Sequence, residues 1–327
     1  MKHQTFYSRG KLLLTGEYVV LDGALALAVP TKFGQSLVVE EIEAPTITWK
    51  SFDEKKQVWF EEVFHFENNE ISRQARNDSN IESQVSIDSE VSNRVLEILR
   101  AAQELNPEFL KDKKGFKITT LLEFPKNWGL GTSSTLINNI ANWADVDAYQ
   151  LLEKTFGGSG YDIACAQNDS AITYQLHNSA ISRQARNDKR TVNPISFNPS
   201  FKEHLYFVHL NKKQNSRDGI AQYKKNNSNL EIAIAEIDAI TKDIIACKTL
   251  DAFDILIEKH EQIISEIIHL KPVKEVLFND FNGSIKSLGA WGGDFVLVSS
   301  KTNPTAYFKN KGFDTILAFD EMVASIY

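Results

Sequence analysis

Short apolar or alternating runs fill the start of the chain, at residues 11–14, 18–21, 25–29 and 36–40. Gly10, Gly16, Asp22-Gly23 and Phe33-Gly34 punctuate them, a pattern that predicts β-strands. Residues 46–49 and 58–66 continue it. From Val91 the spacing changes: Val91, Val95, Leu96, Ile98 and Leu99 share one side of a helix over 91–105. A strand at 116–123 then leads through Pro125 and a glycine-rich turn into a helix at 133–144. A helix at 148–154 follows, and Gly157-Gly158-Ser159-Gly160 precede another helix start at Tyr161. Residues 172–176 and 192–197 read as strands. Beyond them come a strand at 205–210, helices at 230–247 and 252–270, and strands at 295–299 and 315–319. In the first of these helices Leu230, Ile234, Ile237, Ile240, Ile244 and Ile245 carry the apolar period. β-rich sequence followed by mixed sequence predicts an α+β chain of two domains, 1–200 and 201–327, with the boundary near Asn198-Pro199.

One repeat interrupts the pattern. Ile71–Asp78 reads ISRQARND, and Ile181–Asp188 repeats it letter for letter. The octapeptide is polar and its flanks do not match, so it is no repeated packing unit. Both copies read as insertions into surface loops, near 68–89 and 177–190, where extra chain costs little stability. A peptide-recognition arm using Arg73 and Arg76 is the alternative.

Composition narrows the class. The chain has 327 residues, 42% hydrophobic and 24% charged, values typical of a globular protein. A net charge of −7 argues against nucleic acid as a partner. Cys165 and Cys247 are the two cysteines, too few and too far apart for a disulfide framework or a metal cluster, so a reducing cytoplasm is expected. The first residues lack the apolar stretch of a signal peptide, and no segment approaches the ~20 apolar residues that a membrane span needs. A soluble protein acting on a small molecule, as monomer or homodimer, is the expectation.

Glycine marks where the chemistry lies. Twelve of the sixteen glycines fall into four groups: Gly10, Gly16 and Gly23; Gly129 and Gly131; Gly157, Gly158 and Gly160; and Gly283, Gly289, Gly292 and Gly293. Such clustering suggests backbone approaching a ligand or adopting positive φ. In Pro125-Lys126-Asn127-Trp128-Gly129-Leu130-Gly131-Thr132-Ser133-Ser134 a strand precedes the glycines and a helix follows. The N–H groups and positive dipole end of such a helix hold phosphate oxygens, and the hydroxyls can bind phosphate or Mg²⁺. It is not the common P-loop, which needs Gly-Lys-Ser/Thr after four variable residues. A capped helix after a glycine turn is the plain alternative.

This segment resembles the second motif of the GHMP kinases, the superfamily of galactokinase, homoserine kinase, mevalonate kinase and phosphomevalonate kinase. Gly10-Lys11-Leu12-Leu13-Leu14-Thr15-Gly16-Glu17-Tyr18 resembles the first motif. Lys286-Ser287-Leu288-Gly289-Ala290-Trp291-Gly292-Gly293-Asp294 resembles the third, with Trp291 in place of a glycine. The three occur in the family's order across residues 10–294. The resemblance implies an N-terminal domain like the second domain of ribosomal protein S5, a ferredoxin-like C-terminal domain, and an active site in the cleft between them. It also implies ATP and Mg²⁺. Gly129, Leu130, Gly131, Thr132, Ser133, Ser134, Gly289, Gly292 and Gly293 would hold the nucleotide, with Ser133 a metal and phosphate ligand and Glu153 the acidic metal partner. Gly158-Ser159-Gly160-Tyr161-Asp162-Ile163-Ala164 resembles the segment bearing the catalytic aspartate of mevalonate and phosphomevalonate kinases, at Asp162. Chemically, an aspartate just inside a helix start can position a substrate hydroxyl or take its proton. Lys11 could neutralise charge on the transferring phosphoryl group and keep Asp162 ionised. The plain alternatives are a helix-capping Asp162 and a solvated Lys11.

Tyr18, where mevalonate kinases usually have histidine, looks more like bacterial phosphomevalonate kinases. So does the polar stretch from Asn211 to Arg217, where Lys212, Lys213 and Arg217 suit a phosphorylated substrate. The expected activity is transfer of the γ-phosphoryl group of ATP to phosphomevalonate, mevalonate or a similar small acid or alcohol. A diphosphomevalonate decarboxylase-like enzyme and a non-catalytic metabolite sensor of the same fold are the alternatives.

Overall fold

The computed structural model describes residues 3–67, 70–73, 82–112, 114–177, 190–212, 216–225 and 230–324. They form two compact units. The first comprises residues 1–10, 33–126 and 131–167; the second comprises 11–32, 127–130 and 168–327.

The first unit is a sheet covered by helices. Its strands are β1 (His3–Leu13, whose last three residues belong to the second unit), β2 (Ala26–Ile42), β3 (Thr46–Phe52), β4 (Val58–Glu67), β5 (Glu70–Arg73) and β6 (Gly115–Leu122). They pair in the order β5-β4-β3-β6-β2, with β1 also on β2. The β3–β6 pair is parallel, Ile47 facing Phe116, and the others whose register is resolved are antiparallel. Alternation decides which face is covered: along β3, Ile47, Trp49 and Ser51 are buried while their neighbours are not. Four helices supply the cover: α1 (Glu82–Leu105), α2 (Thr132–Ala144), α3 (Ala148–Thr155) and α4 (Tyr161–Ala166). Val95, Ile98, Leu99 and Ala102 of α1, Ile137, Ile140 and Ala141 of α2, and Leu151 of α3 meet the strand residues in one core. Asp147 starts α3 by accepting the N–H groups of Tyr149 and Gln150.

In the second unit the early part of β2 pairs with β7 (Ile172–Leu176), and β7 with β8 (Arg190–Pro194). Then come β9 (Leu205–His209), α5 (Ser216–Lys225), α6 (Leu230–Ala246), α7 (Leu250–Ile268), α8 (Val273–Leu277), β10 (Ser284–Ser287), β11 (Phe295–Ser299), α9 (Thr305–Asn310), β12 (Ile316–Ala318) and α10 (Phe319–Met322). The four later strands pair antiparallel in the order β10-β11-β9-β12, with helical crossovers between β9 and β10 and between β11 and β12. That is the ferredoxin-like arrangement. Val208, Phe278, Phe281, Ile285, Val296, Val298 and Phe308 pack together on this sheet.

Three elements differ from the sequence expectation. Residues 18–21 are not a strand: Val19–Asp22 is a 3₁₀ turn, closed by Gly23 in the left-handed region, and Val19 and Val20 are both buried rather than alternating. The two strands expected at 25–29 and 36–40 are one continuous β2, because Gly34 lets Tyr7 and Ser8 of β1 lie directly over the backbone instead of breaking it. The polar stretch after β9 becomes helical at Ser216, with Ile220 and Tyr223 as its sparse apolar positions. Of the first octapeptide copy, residues 71–73 end β5; the rest of it and the whole second copy lie outside the described residues. Residues 82–89 of the polar stretch belong to α1.

Candidate active site

In the first unit, α2 opens without a side-chain cap. Its N-cap is Gly131 at φ 94, which has no side chain to accept from the first turn. A helix start left this way presents N–H donors and a partial positive charge. The three hydroxyls there have different fates. Ser134 is buried and donates to Gly131 O at 2.9 Å. Thr132 is half-buried, whereas Ser133 is exposed and is the hydroxyl turned to solvent. Behind them the buried Thr135 hydroxyl donates to Gln35 Oε1 at 2.7 Å. Deeper in α2, Asn138 and Asn139 join Ser8, with Ser8 Oγ donating to Asn139 Oδ1 at 2.7 Å. These bonds seat the first turn of α2 on β1 and β2.

Asp162 lies in the first turn of α4, which packs against α2. It does not cap the helix; Gly160 holds that position, and Asp162 Oδ1 accepts the Ile163 N–H at 3.1 Å. The carboxylate is half-buried. Glu153 is exposed on α3.

The second unit holds Lys11, Gly129, Leu130 and the residues of the third motif. Lys11 is not a free surface lysine. Its Nζ donates to Gly129 O at 2.9 Å and its backbone N–H to Leu130 O at 2.9 Å, so the first motif grips the glycine turn. The same segment is fixed from the other side. His209 Nε2 lies 3.1 Å from Asn127 O, and the Trp128 ring meets Phe295 edge-on at 5.3 Å. Gly129, at φ 68, must be glycine: a Cβ there would overlap the Asp294 carboxylate. Asp294 ends the 288–294 turn and is itself at φ 53, with its N–H donating to Lys212 O at 2.7 Å. Third motif and glycine turn are thus in direct contact.

Sequence reasoning missed a buried polar cluster beneath the first and third motifs. Lys286 Nζ donates to Glu17 Oε1 and, at 2.9 Å, to Ser287 O; both charged side chains are fully buried. Gly16 N–H donates to His260 Nε2 at 2.9 Å, so that nitrogen carries a lone pair. Burial, and then the Lys286 charge, hold the His260 pKa well below its usual value, and the ring is neutral. Its 3.4 Å approach to Glu17 Oε2 is therefore no ion pair. Burial raises the Glu17 pKa, opposed by Lys286. Glu261 accepts the Ser287 N–H and hydroxyl, and burial pushes its pKa up to about 7. Glu17 and Lys286 both stand inside the recognised motifs, and their opposite charges were the available signal.

Among the described residues no group of three or more His, Cys, Asp or Glu side chains could hold a metal ion. No described helix is long and apolar enough to cross a membrane.

The fold is that of the GHMP kinases. Mevalonate kinase from Methanococcus jannaschii superposes with a TM-score of 0.65 over 99% of both chains, at 16% identity. The Streptococcus pneumoniae phosphomevalonate kinase in complex with phosphomevalonate and AMPPNP gives 0.65 over 94% of this chain and 95% of that one, at 15% identity. Lactococcus lactis galactokinase complexed with galactose gives 0.60 over 95% and 88%, at 14% identity. No protein-family model matches the sequence. No curated protein matches it either.

Proposed function

We propose that the chain is an ATP-dependent kinase that phosphorylates a small acid or alcohol, with phosphomevalonate or mevalonate as the leading acceptor. The observation that carries the reading is the uncapped, glycine-led start of α2 with Ser133 facing solvent, in a chain 94% of which superposes on a phosphomevalonate kinase in complex with phosphomevalonate and AMPPNP. The domains of that reading meet near residue 200.

In this reading the N–H groups at the start of α2 hold donor phosphates, and the glycine-rich main chain of 289–293 is a further candidate nucleotide contact. Lys11 offsets charge on the transferring phosphoryl group while Gly129 O holds its ammonium in place. Asp162 orients the acceptor hydroxyl and accepts its proton. The acceptor oxygen bonds to the γ-phosphorus as the bond to the β,γ-bridging oxygen breaks, and ADP leaves. Ser133 and Glu153 would be the protein ligands of a magnesium ion, which takes few protein oxygens and completes its shell with phosphate oxygens and water; such an ion would neutralise phosphate charge. Lys212, exposed and with its carbonyl accepting the Asp294 N–H, is a cation that would favour an already phosphorylated acceptor; Lys213 and the Arg217 side chain lie outside the described residues.

The test is an ADP-release screen with mevalonate, phosphomevalonate, homoserine and sugars. ADP formed with one of these supports the reading. No turnover together with no ATP binding overturns it.

A further inference from the structure

Ser8, Gln35, Thr135, Asn138 and Asn139 are buried in the first unit, each at most 2% exposed. Burying that many polar side chains is costly unless each finds a partner, and a satisfied set provides one fixed arrangement. The set here has a direction. Asn139 Nδ2 donates to the backbone carbonyl of Gln35 at 2.9 Å, and a carbonyl can only accept. The Asn139 amide is thereby oriented, with Oδ1 toward Ser8, whose hydroxyl donates to it. Ser8 Oγ has then given its proton, and it accepts from Asn138 Nδ2 at 2.9 Å. That orients the second amide and makes Asn138 Oδ1 an acceptor. Gln167 Nε2 supplies its donor at 3.0 Å. Every bond points the same way: Gln167 to Asn138, to Ser8, to Asn139, to the Gln35 carbonyl.

The two ends of this chain reach the two parts of the candidate site that the first unit holds. At the inner end, Gln35 Oε1 accepts from Thr135 in the first turn of α2. At the outer end, Gln167 closes α4, its backbone N–H on Ile163 O at 3.1 Å. α4 has six residues, too few for its own hydrogen bonds to hold a helix, so its surroundings place it. Ile163 anchors it by packing, fully buried in the same core as Ile137 and Ile140 of α2. Gln167 anchors it by hydrogen bonding. Asp162 and Gln167 are about 8 Å apart along the helix axis.

We propose that Gln167 is a positioning residue for Asp162: by donating to Asn138 it sets α4 on α2, in fixed relation to the turn of Gly131–Ser134. Residue 167 must then be a hydrogen-bond donor. The functional consequence rests on the kinase reading, in which Asp162 meets the acceptor hydroxyl. A displaced α4 slows the chemical step and leaves nucleotide binding to the start of α2.

Gln167→Glu and Gln167→Lys test this, because residue 167 is exposed and a surface substitution is ordinarily near neutral. Glutamate sets an oxygen against Asn138 Oδ1, and the chain cannot reverse to meet it, since it ends on a carbonyl. Lysine keeps a donor. In ligand-free protein, Gln167→Glu should raise deuterium exchange over 161–167 and Gln167→Lys should not. With ATP, Mg²⁺ and whichever of mevalonate, phosphomevalonate, homoserine or sugar is turned over, Gln167→Glu should lower kcat about tenfold, the scale of one hydrogen bond. Its affinity for a non-hydrolysable ATP analogue should stay within about twofold, and Gln167→Lys should keep wild-type kcat. An acidic residue at a helix C-terminus also opposes the helix dipole, so the same two variants are compared in an Asn138→Leu background. There the dipole effect remains and the hydrogen-bond effect is gone, and the tenfold difference should shrink to about twofold. If Asn138→Leu does not fold, Gln167→Met removes the donor without adding charge; a lowered kcat supports the proposal and a wild-type kcat overturns it. Equal exchange and equal kcat in the glutamate and lysine variants overturn it, as does an undiminished difference in the Asn138→Leu background. Raised exchange with unchanged kcat overturns the positioning role. A wild-type protein that turns over none of the acceptors overturns the kinase reading instead, and exchange at 161–167 still decides whether Gln167 seats α4.

Discussion

Replacing Lys286 with methionine probes the buried cluster most sharply. Methionine keeps an unbranched apolar stem and removes the ammonium that faces Glu17 Oε1 and Ser287 O. Glu17 is then a fully buried carboxylate with Glu261 nearby, a neutral His260 beside it, and one oxygen already lacking a donor. Breaking one side of a buried ion pair costs about 3–5 kcal/mol, because the remaining charge has no compensation. For 150–250 residues each kcal/mol shifts Tm by roughly 2–4 °C, so the expected drop is about 6–20 °C. Folding of the variant should also take up a proton, since Lys286 is what opposes the burial-driven rise in the Glu17 pKa. Thermal and urea melts followed by circular dichroism measure both effects when run across pH. Adding Glu17→Gln should recover part of the loss, because no charge is then left buried. A loss below about 1 kcal/mol in the single variant, or a double variant that pays the full sum of both singles, would refute the reasoning.

Three further outcomes follow from the same geometry. Asp162→Asn should lower the chemical rate by at least about a hundredfold while ATP affinity, read by calorimetry, stays nearly intact; equal loss of both would mean a structural residue. Gly129→Ala should weaken ATP binding and lower stability by about 1–3 kcal/mol, since its methyl displaces the Asp294 carboxylate and adds positive-φ strain; wild-type melting and binding would show that the turn yields freely. Glu261 gives a pH dependence. Its unfolded carboxyl loses its proton near 4.5 and its folded one near 7, so its stability contribution is fully present below about pH 4.5 and is lost as pH rises through about 7. The swing is on the order of 3 kcal/mol, and Glu261→Gln should flatten the fall in Tm over that window. An unchanged pH profile would show that Glu261 titrates normally.

Much of the fold was legible because apolar period and local propensity agreed. The helix from Leu230 and the strand from Phe295 to Ser299 stand where their patterns put them. Residues 18–21 misled because two adjacent buried valines resemble a strand, and only a strained γ-turn at Tyr18, which sequence does not announce, turns them into a 3₁₀ turn. The start of α5 is polar and gave no periodic signal. In the candidate site, the glycine spacing showed that backbone would approach something. It could not show that Gly129 makes room for Asp294, that Lys11 is tied to the glycine turn, or which of three adjacent hydroxyls stays outside. The first two depend on contacts more than a hundred residues apart. The cluster of Glu17, His260, Glu261 and Lys286 is hidden for the same reason: each charge looks solvated until the chain folds around it.

Phosphorus NMR of the protein with ATP, Mg²⁺ and either phosphomevalonate or mevalonate tests the central claim most directly. The account predicts growth of ADP signals together with a new phosphoryl resonance on the acceptor, without carbon dioxide release, and loss of both signals in Asp162→Asn. ATP that remains intact with every small acid, alcohol and sugar offered, or ADP formed only with carbon dioxide, would contradict it.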